Sequence, residues 1–221
     1  LIIGEEFVGP NPKVNNLVRP MAMASHEAIV ISDSYIRATP DYIQSIFEAM
    51  TPKVGCVTGL RRGIEGRGLG GRLEEHHLNC FYARWQVLAR ALKLDFVVGS
   101  TMMFQRSLAD QLGGLKAMSD HASEDYAFGE AARRNGMLIG LTRLPVTQYI
   151  GHKTFREFWF RHQRWGTIRK YAAPQVFFIE WQHCASIVAL FAFVYLTKFS
   201  LQTAALGALG TTLVWMLFDA L

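Results

Sequence analysis

The sequence predicts an α/β domain followed by an interfacial helix and two apolar carboxyl-terminal helices. Three observations carry this reading. Short apolar runs alternate with helical patterns through roughly the first 150 residues. Residues 154–170, "TFREFWFRHQRWGTIRK", interleave aromatics with cations. Beyond residue 175 charge almost vanishes, whereas the preceding part carries nearly all of it.

Taken in order, residues 28–32, "AIVIS", read as a buried strand that runs into Asp33. Thr39 can then cap a helix with Pro40 at its first position, and Ile43, Ile46, Phe47 and Met50 follow at helical spacing. Residues 54–60 read as a second strand. The stretch "RRGIEGRGLGGR", 61–72, is glycine-rich and basic but lacks a phosphate-binding fingerprint, so it reads as a mobile loop. Residues 73–93 are helical by pattern, 96–99 a short buried strand, and 107–112 a short helix stopped by Gly113 and Gly114. Residues 124–135 suit a helix with acids in its first turn and Gly136 past its end, and 137–141 return as a strand. Such alternation implies a mainly parallel sheet covered on both faces, with ligands bound beyond the carboxyl ends of its strands. Asp33 sits at such an end.

The apolar runs 175–196 and 199–218 each approach the ~20 residues that cross a bilayer as a helix. Glu180 and His183 interrupt the first, whose remainder, 184–196, could alternatively form an interfacial or core helix; a two-span hairpin is the reading adopted. Arg161, Arg164, Arg169 and Lys170 precede it, which places the soluble part on the cytoplasmic side.

The 221 residues carry a formal net charge of +5. The basic residues form no nucleic-acid-binding pattern and gather where lipid headgroups would lie, so anionic lipid and a phosphorylated substrate are the expected partners, and nucleic acid is not. Cys56, Cys80 and Cys184 lack metal-ligand spacing and read as reduced packing residues. His76, His77, His121 and His152 form no i, i+4 ligand pair and read as surface or supporting residues. The chain opens in mid-pattern without an initiating methionine, which reads as a piece of a longer protein.

Two carboxylates frame the chemistry. Asp33 can hold a divalent cation that also bridges phosphate oxygens, and it can equally be a turn aspartate. In "DHASEDYAFGEA" Glu124 and Asp125 open a helix whose dipole would keep a carboxylate ionised and able to take a proton from a hydroxyl. Glu124 reads as simple decoration of the helix start, whereas Asp125 reads as functional. In 154–170 Arg161, Arg164 and Trp165 share a helical face, suited to a diphosphate and to a sugar or lipid, or simply to a basic membrane anchor.

The ordered segments "NPKVNNL", "ISDSYI", "SEDYAFG" and "RHQRW", followed by apolar runs, resemble the ceramide glucosyltransferase family and its bacterial relatives that glycosylate hopanoid or sphingoid lipids. The resemblance covers about residues 11–170. It implies a partial GT-A (Rossmann-like) catalytic domain over 1–153, an interfacial helix over 154–170 bearing the RHQRW motif, and two transmembrane helices within 175–221. It implies an inverting, membrane-bound transferase that uses a nucleotide-sugar donor, a membrane lipid acceptor, and Mg²⁺ or Mn²⁺. Asp33 matches the family's second aspartate, at the metal and diphosphate, and Asp125 the third, the catalytic base. Lys13 would lie on the donor side, and Arg161, Gln163, Arg164 and Trp165 match the final motif. Tyr35 departs from related transferases that place another metal-binding aspartate there. The family's first aspartate would precede residue 1, so the chain by itself is expected to bind donor weakly. A processive polysaccharide synthase and a non-catalytic membrane scaffold are the rival readings; only two apolar runs argue against the first.

Overall fold

The computed structural model describes residues 2, 4–94, 96–174, 177 and 185–220. The chain divides into two compact units, Leu1–Trp159 and Phe160–Leu221.

In the first unit, Asn11 caps helix α1 (Pro12–Met23), its side-chain oxygen accepting from the amides of Lys13 and Val14, with Pro12 at the first helical position. Strand β1 (Ala28–Ser32) follows, then the short β2 (Ile36–Arg37) and α2 (Tyr42–Glu48). After β3 (Val54–Thr58) and β4 (Arg61–Arg67) come α3 (Gly68–His76), one π-helical stretch at His77–Tyr82, and α4 (Ala83–Ala91). The unit continues with β5 (Thr101–Gln105), α5 (Arg106–Gln111), a 3₁₀ turn at Leu115–Met118, α6 (Glu124–Arg134), β6 (Leu138–Leu141) and β7 (Val146–His152).

Four strands form one sheet in the order β1-β5-β3-β6. Alternation along β5 separates two cores. Met102 and Phe104 of β5, with Cys56 of β3, face Val14 of α1, Leu108 of α5 and Phe128 of α6. Met103 and Val57 face Tyr42 and Ile46 of α2 on the other side. Both faces are covered, as expected. The direction of the strands is not: β5 runs antiparallel to both β1 and β3, and only β3 and β6 are parallel. The helical stretch before β5 delivers the chain to the carboxyl ends of β1 and β3, where Asp33 N–H bonds to Ser100 O and Gly59 N–H to Thr101 O. A strand entered from that end can only run backwards.

The expected strand at 96–99 is likewise irregular chain. Its backbone polar groups are taken by side chains, Val98 N–H by Thr58 Oγ1 and Gly99 N–H by Asp125 Oδ2, which leaves no ladder to form.

A second sheet, β2-β7-β4, was not foreseen; β7 is antiparallel to β2 and parallel to β4. The stretch expected as a mobile loop supplies β4 and the start of α3. Its glycines serve close approach, because a Cβ at Gly70 would strike Thr154 O and one at Gly71 would lie 2.7 Å from Gly151 O. Buried Arg61 binds Gln148 of β7 through its guanidinium, while Gln86 of α4 accepts from its amide and donates to Gly59 O.

Helix α7 (Phe155–Ala172) opens with a capping box, Glu157 accepting from Thr154 N–H and donating its own amide to Thr154 Oγ1. In the second unit, α8 (Ala185–Leu196) and α9 (Leu201–Ala220) pack together so closely that a Cβ on Gly207 would strike Leu196. No helix among the described residues is long and apolar enough to cross a membrane. Helix α8 has 12 described residues, the first directly following the undescribed 178–184, and α9 carries Gln202, Thr203, Thr211 and Thr212. Residues 175, 176 and 178–184 of the first expected span, Cys184 among them, lie outside the described residues.

Phe104 and Phe128 are both almost fully buried with ring centroids 4.6 Å apart. Phe104→Ala is expected to destabilise the first unit by about 3–5 kcal/mol, read from chemical unfolding.

Candidate active site

Segments distant in sequence meet where β1 and β3 end. Lys13, in the first turn of α1, projects its ammonium onto three oxygens: Gly99 O at 2.8 Å, Glu124 Oε1 at 2.9 Å and Asp33 Oδ1 at 3.4 Å. Burial alone would lower its pKa, but the charges of Glu124 and Asp33, the hydrogen bond to Glu124 and the charge of Asp125 outweigh this and raise it. The lysine is therefore a fixed cation at neutral pH.

Glu124 and Asp125 are neighbours on α6 with different surroundings. The Glu124 side chain is 11% exposed and held on both oxygens, by Lys13 and by Asn11 Nδ2 at 3.1 Å. Asn11 thus caps α1, ties down Glu124 and donates to His121 O at 2.8 Å. Asp125 is half-buried and accepts from Gly99 N–H, the Ser123 hydroxyl and its neighbour Tyr126 N–H. It forms no ion pair among the described residues. Burial and the adjacent Glu124 charge push its pKa up, against the Ser123 hydroxyl, Lys13 and the Gly99 amide. A helix start was expected to keep this carboxylate ionised; its surroundings instead make it a stronger base than an ordinary aspartate.

Gly99 is the hinge between the two groups, since its carbonyl accepts from Lys13 and its amide donates to Asp125. A Cβ there would lie 2.5 Å from Lys13 Nζ and 2.9 Å from Asp125 Oδ2, so only glycine fits. Thr58, at the end of β3, holds the preceding residue in place. The Ser100 hydroxyl is buried beside them with no hydrogen-bond partner among the described residues.

Asp33 accepts from the Tyr35 hydroxyl on its other oxygen. Tyr35, the departure noted in the sequence, orients the aspartate rather than adding a second carboxylate. Among the described residues no three His, Cys, Asp or Glu side chains gather as a metal cage. A single carboxylate is nevertheless a donor set that Mg²⁺ accepts when substrate phosphates complete its shell. Asp33 fits that role as a single carboxylate, with Lys13 Nζ 3.4 Å from its Oδ1.

Three of the sequence-predicted residues, Lys13, Asp33 and Asp125, are thus brought together. Glu124, read from sequence as decoration, is part of the cluster, and Asn11, Gly99 and Tyr35 were missed as supports. The remaining four belong to α7 in the second unit. There the Arg161 guanidinium lies 4.7 Å from the centre of the Trp165 ring, with the His162 ring at 5.2 Å from the same indole, and Gln163 and Arg164 are exposed.

Over residues 1–221 the sequence matches the family described as glycosyl transferase family 21. The chain belongs to that family. Two curated relatives from Caenorhabditis elegans agree with it. Ceramide glucosyltransferase 1 is 28% identical over 191 residues, covering 85% of this chain and 41% of the relative. Ceramide glucosyltransferase 3 is 24% identical over 182 residues, covering 81% of this chain and 40% of the relative. The chain therefore spans about two-fifths of the length of these relatives.

Cys56 lies fully buried under the site, and burial, followed by the charge of Asp125, pushes its thiol pKa up. Cys80 is half-buried. Iodoacetamide at neutral pH should therefore alkylate Cys80 well before Cys56, as read by peptide mass spectrometry.

Proposed function

We propose that this family 21 chain carries the catalytic centre of an inverting glycosyltransferase. The reaction moves a sugar from a nucleotide-sugar of UDP-glucose or UDP-GlcNAc type to a hydroxyl of a membrane lipid such as ceramide or a hopanoid. Family membership and the names of the two relatives support the class of reaction. The mixed α/β first unit suits a GT-A-like domain. The observation that carries the mechanism is Asp125: held by hydrogen-bond donors, raised in pKa, and free of a direct cation partner among the described residues.

In this mechanism Asp125 takes the proton of the acceptor hydroxyl as that oxygen attacks the anomeric carbon. The bond from that carbon to the diphosphate oxygen breaks on the opposite face, and the configuration inverts. The leaving diphosphate gains charge, which the positive charge of Lys13 stabilises. Mg²⁺ or Mn²⁺ bound by Asp33 would supply further charge neutralisation to the same phosphates. Arg161, Gln163, Arg164 and Trp165 of α7 are assigned to substrate binding through their match to the family's final motif.

The acceptor's chemistry favours a membrane location, with the catalytic domain on the cytoplasmic face. Phe155, Trp159, Phe160 and Tyr171 of α7 are exposed, as a helix lying among headgroups and acyl chains requires. The bilayer crossing of α8 and α9 belongs to the same proposal.

A radiolabelled nucleotide-sugar assay on membranes bearing the full-length protein tests this. Label in an extractable glycolipid is expected; label in an insoluble polymer, or no transfer, contradicts it. Asp125→Asn should cost about 3–5 kcal/mol in barrier, and near-normal turnover would overturn the assignment. Gly99→Ala should cut turnover about 10²-fold and also lower the melting temperature, because its Cβ displaces the Lys13 ammonium and crowds the Asp125 side chain.

A further inference from the structure

We propose that Glu124 is a positioning residue whose task is to keep the ammonium of Lys13 off Asp125. The proposal rests on Asp125 being the base. Lys13 Nζ and Asp125 Oδ2 both lie within 3 Å of the point a Gly99 Cβ would occupy, at 2.5 and 2.9 Å. They are separated by little more than the Gly99 peptide. A lysine side chain can cover that distance by changing rotamer. What holds it away is Glu124 Oε1, 2.9 Å from Nζ, together with Gly99 O and the more distant Asp33.

Glu124 is itself fixed so that it cannot follow the lysine. Asn11 Nδ2 holds its second oxygen, and Asn11 is anchored by capping α1 and by His121 O. The arrangement separates two carboxylates of one helix turn into different tasks. Glu124 neutralises the cation, and Asp125 keeps its lone pairs for a proton.

The groups that face Asp125 are few. Glu124 and the Ser123 hydroxyl come from α6 and its cap, Lys13 from α1, the Gly99 amide from the loop before β5, and the Cys56 thiol from β3 beneath. Glu124 raises the proton affinity of Asp125 and Lys13 lowers it, so loss of the Glu124 charge acts twice in one direction. The negative neighbour disappears, and the ammonium is released toward Asp125.

The test is the pH dependence of kcat at saturating donor, in membranes with the full-length protein, for the wild type, Glu124→Gln, Glu124→Asp and Asp125→Asn. Glu124→Gln should lower kcat at least about tenfold while donor KM changes less, and move the acidic limb of the profile down by about one pH unit or more. Glu124→Asp should restore much of both. A variant that loses only thermal stability, or raises KM with an unmoved limb, overturns the proposal and leaves Asp125 as base. Near-normal kcat in Asp125→Asn instead defeats the base reading itself.

Should Glu124→Gln fail to accumulate, Lys13→Gln reads the converse. With the cation gone and Glu124 retained, the acidic limb should move to higher pH, and an unmoved limb overturns the proposal.

Discussion

One ammonium group organises this site. Lys13 reaches from the first turn of α1 to Asp33 after β1, to the carbonyl of Gly99 before β5, and to Glu124 at the start of α6. The ends of those elements are joined by several bonds, Asp33 N–H to Ser100 O, Gly99 N–H to Asp125 and Asn11 to Glu124 among them, and one cation meets three oxygens at their centre. The antiparallel course of β5 follows the same geometry, since the chain must pass Gly99 at this end of the sheet before it can turn back.

The cluster is a compromise between stability and reactivity. A partly buried ammonium between carboxylates recovers its desolvation through good geometry, whereas removal of either partner strands a charge. Asp125 is treated differently. Its folded pKa is raised, so its contribution to stability is full below the pKa of the unfolded chain and is lost as pH rises through the folded value. Keeping it ionised at neutral pH therefore costs folding free energy, offset in part by the Ser123 hydroxyl and the Gly99 amide. That is the expected signature of a group tuned for proton transfer.

Much of this was legible in the sequence, and the gaps have physical reasons. The β1 boundaries followed from apolar β-branched residues, and the α6 boundaries from its acidic start and terminal glycine. Asp33 and Asp125 stood out because their segments match the family's aspartates; position alone left Asp33 equally readable as a turn residue. Strand direction was not legible, because periodicity reports which face is buried and says nothing of which way the chain runs. The glycine-rich stretch 61–72 misled for a related reason: glycine signals freedom in isolation and close packing in context, and Gly70 and Gly71 serve the latter. Glu124 was discounted because acids at helix starts are common, and only Lys13, more than a hundred positions away, reveals its use. The lone glycine in "FVVGST" was the available hint that two polar groups approach the backbone there.

Coupling between Lys13 and Glu124 is the central requirement of this site. A double-mutant cycle with Lys13→Met and Glu124→Gln, read as unfolding free energy, measures it most directly. Each single change should strand a charge and the double change should not, giving a coupling on the order of 1–3 kcal/mol. Additive effects would show that the ammonium does not hold these segments together.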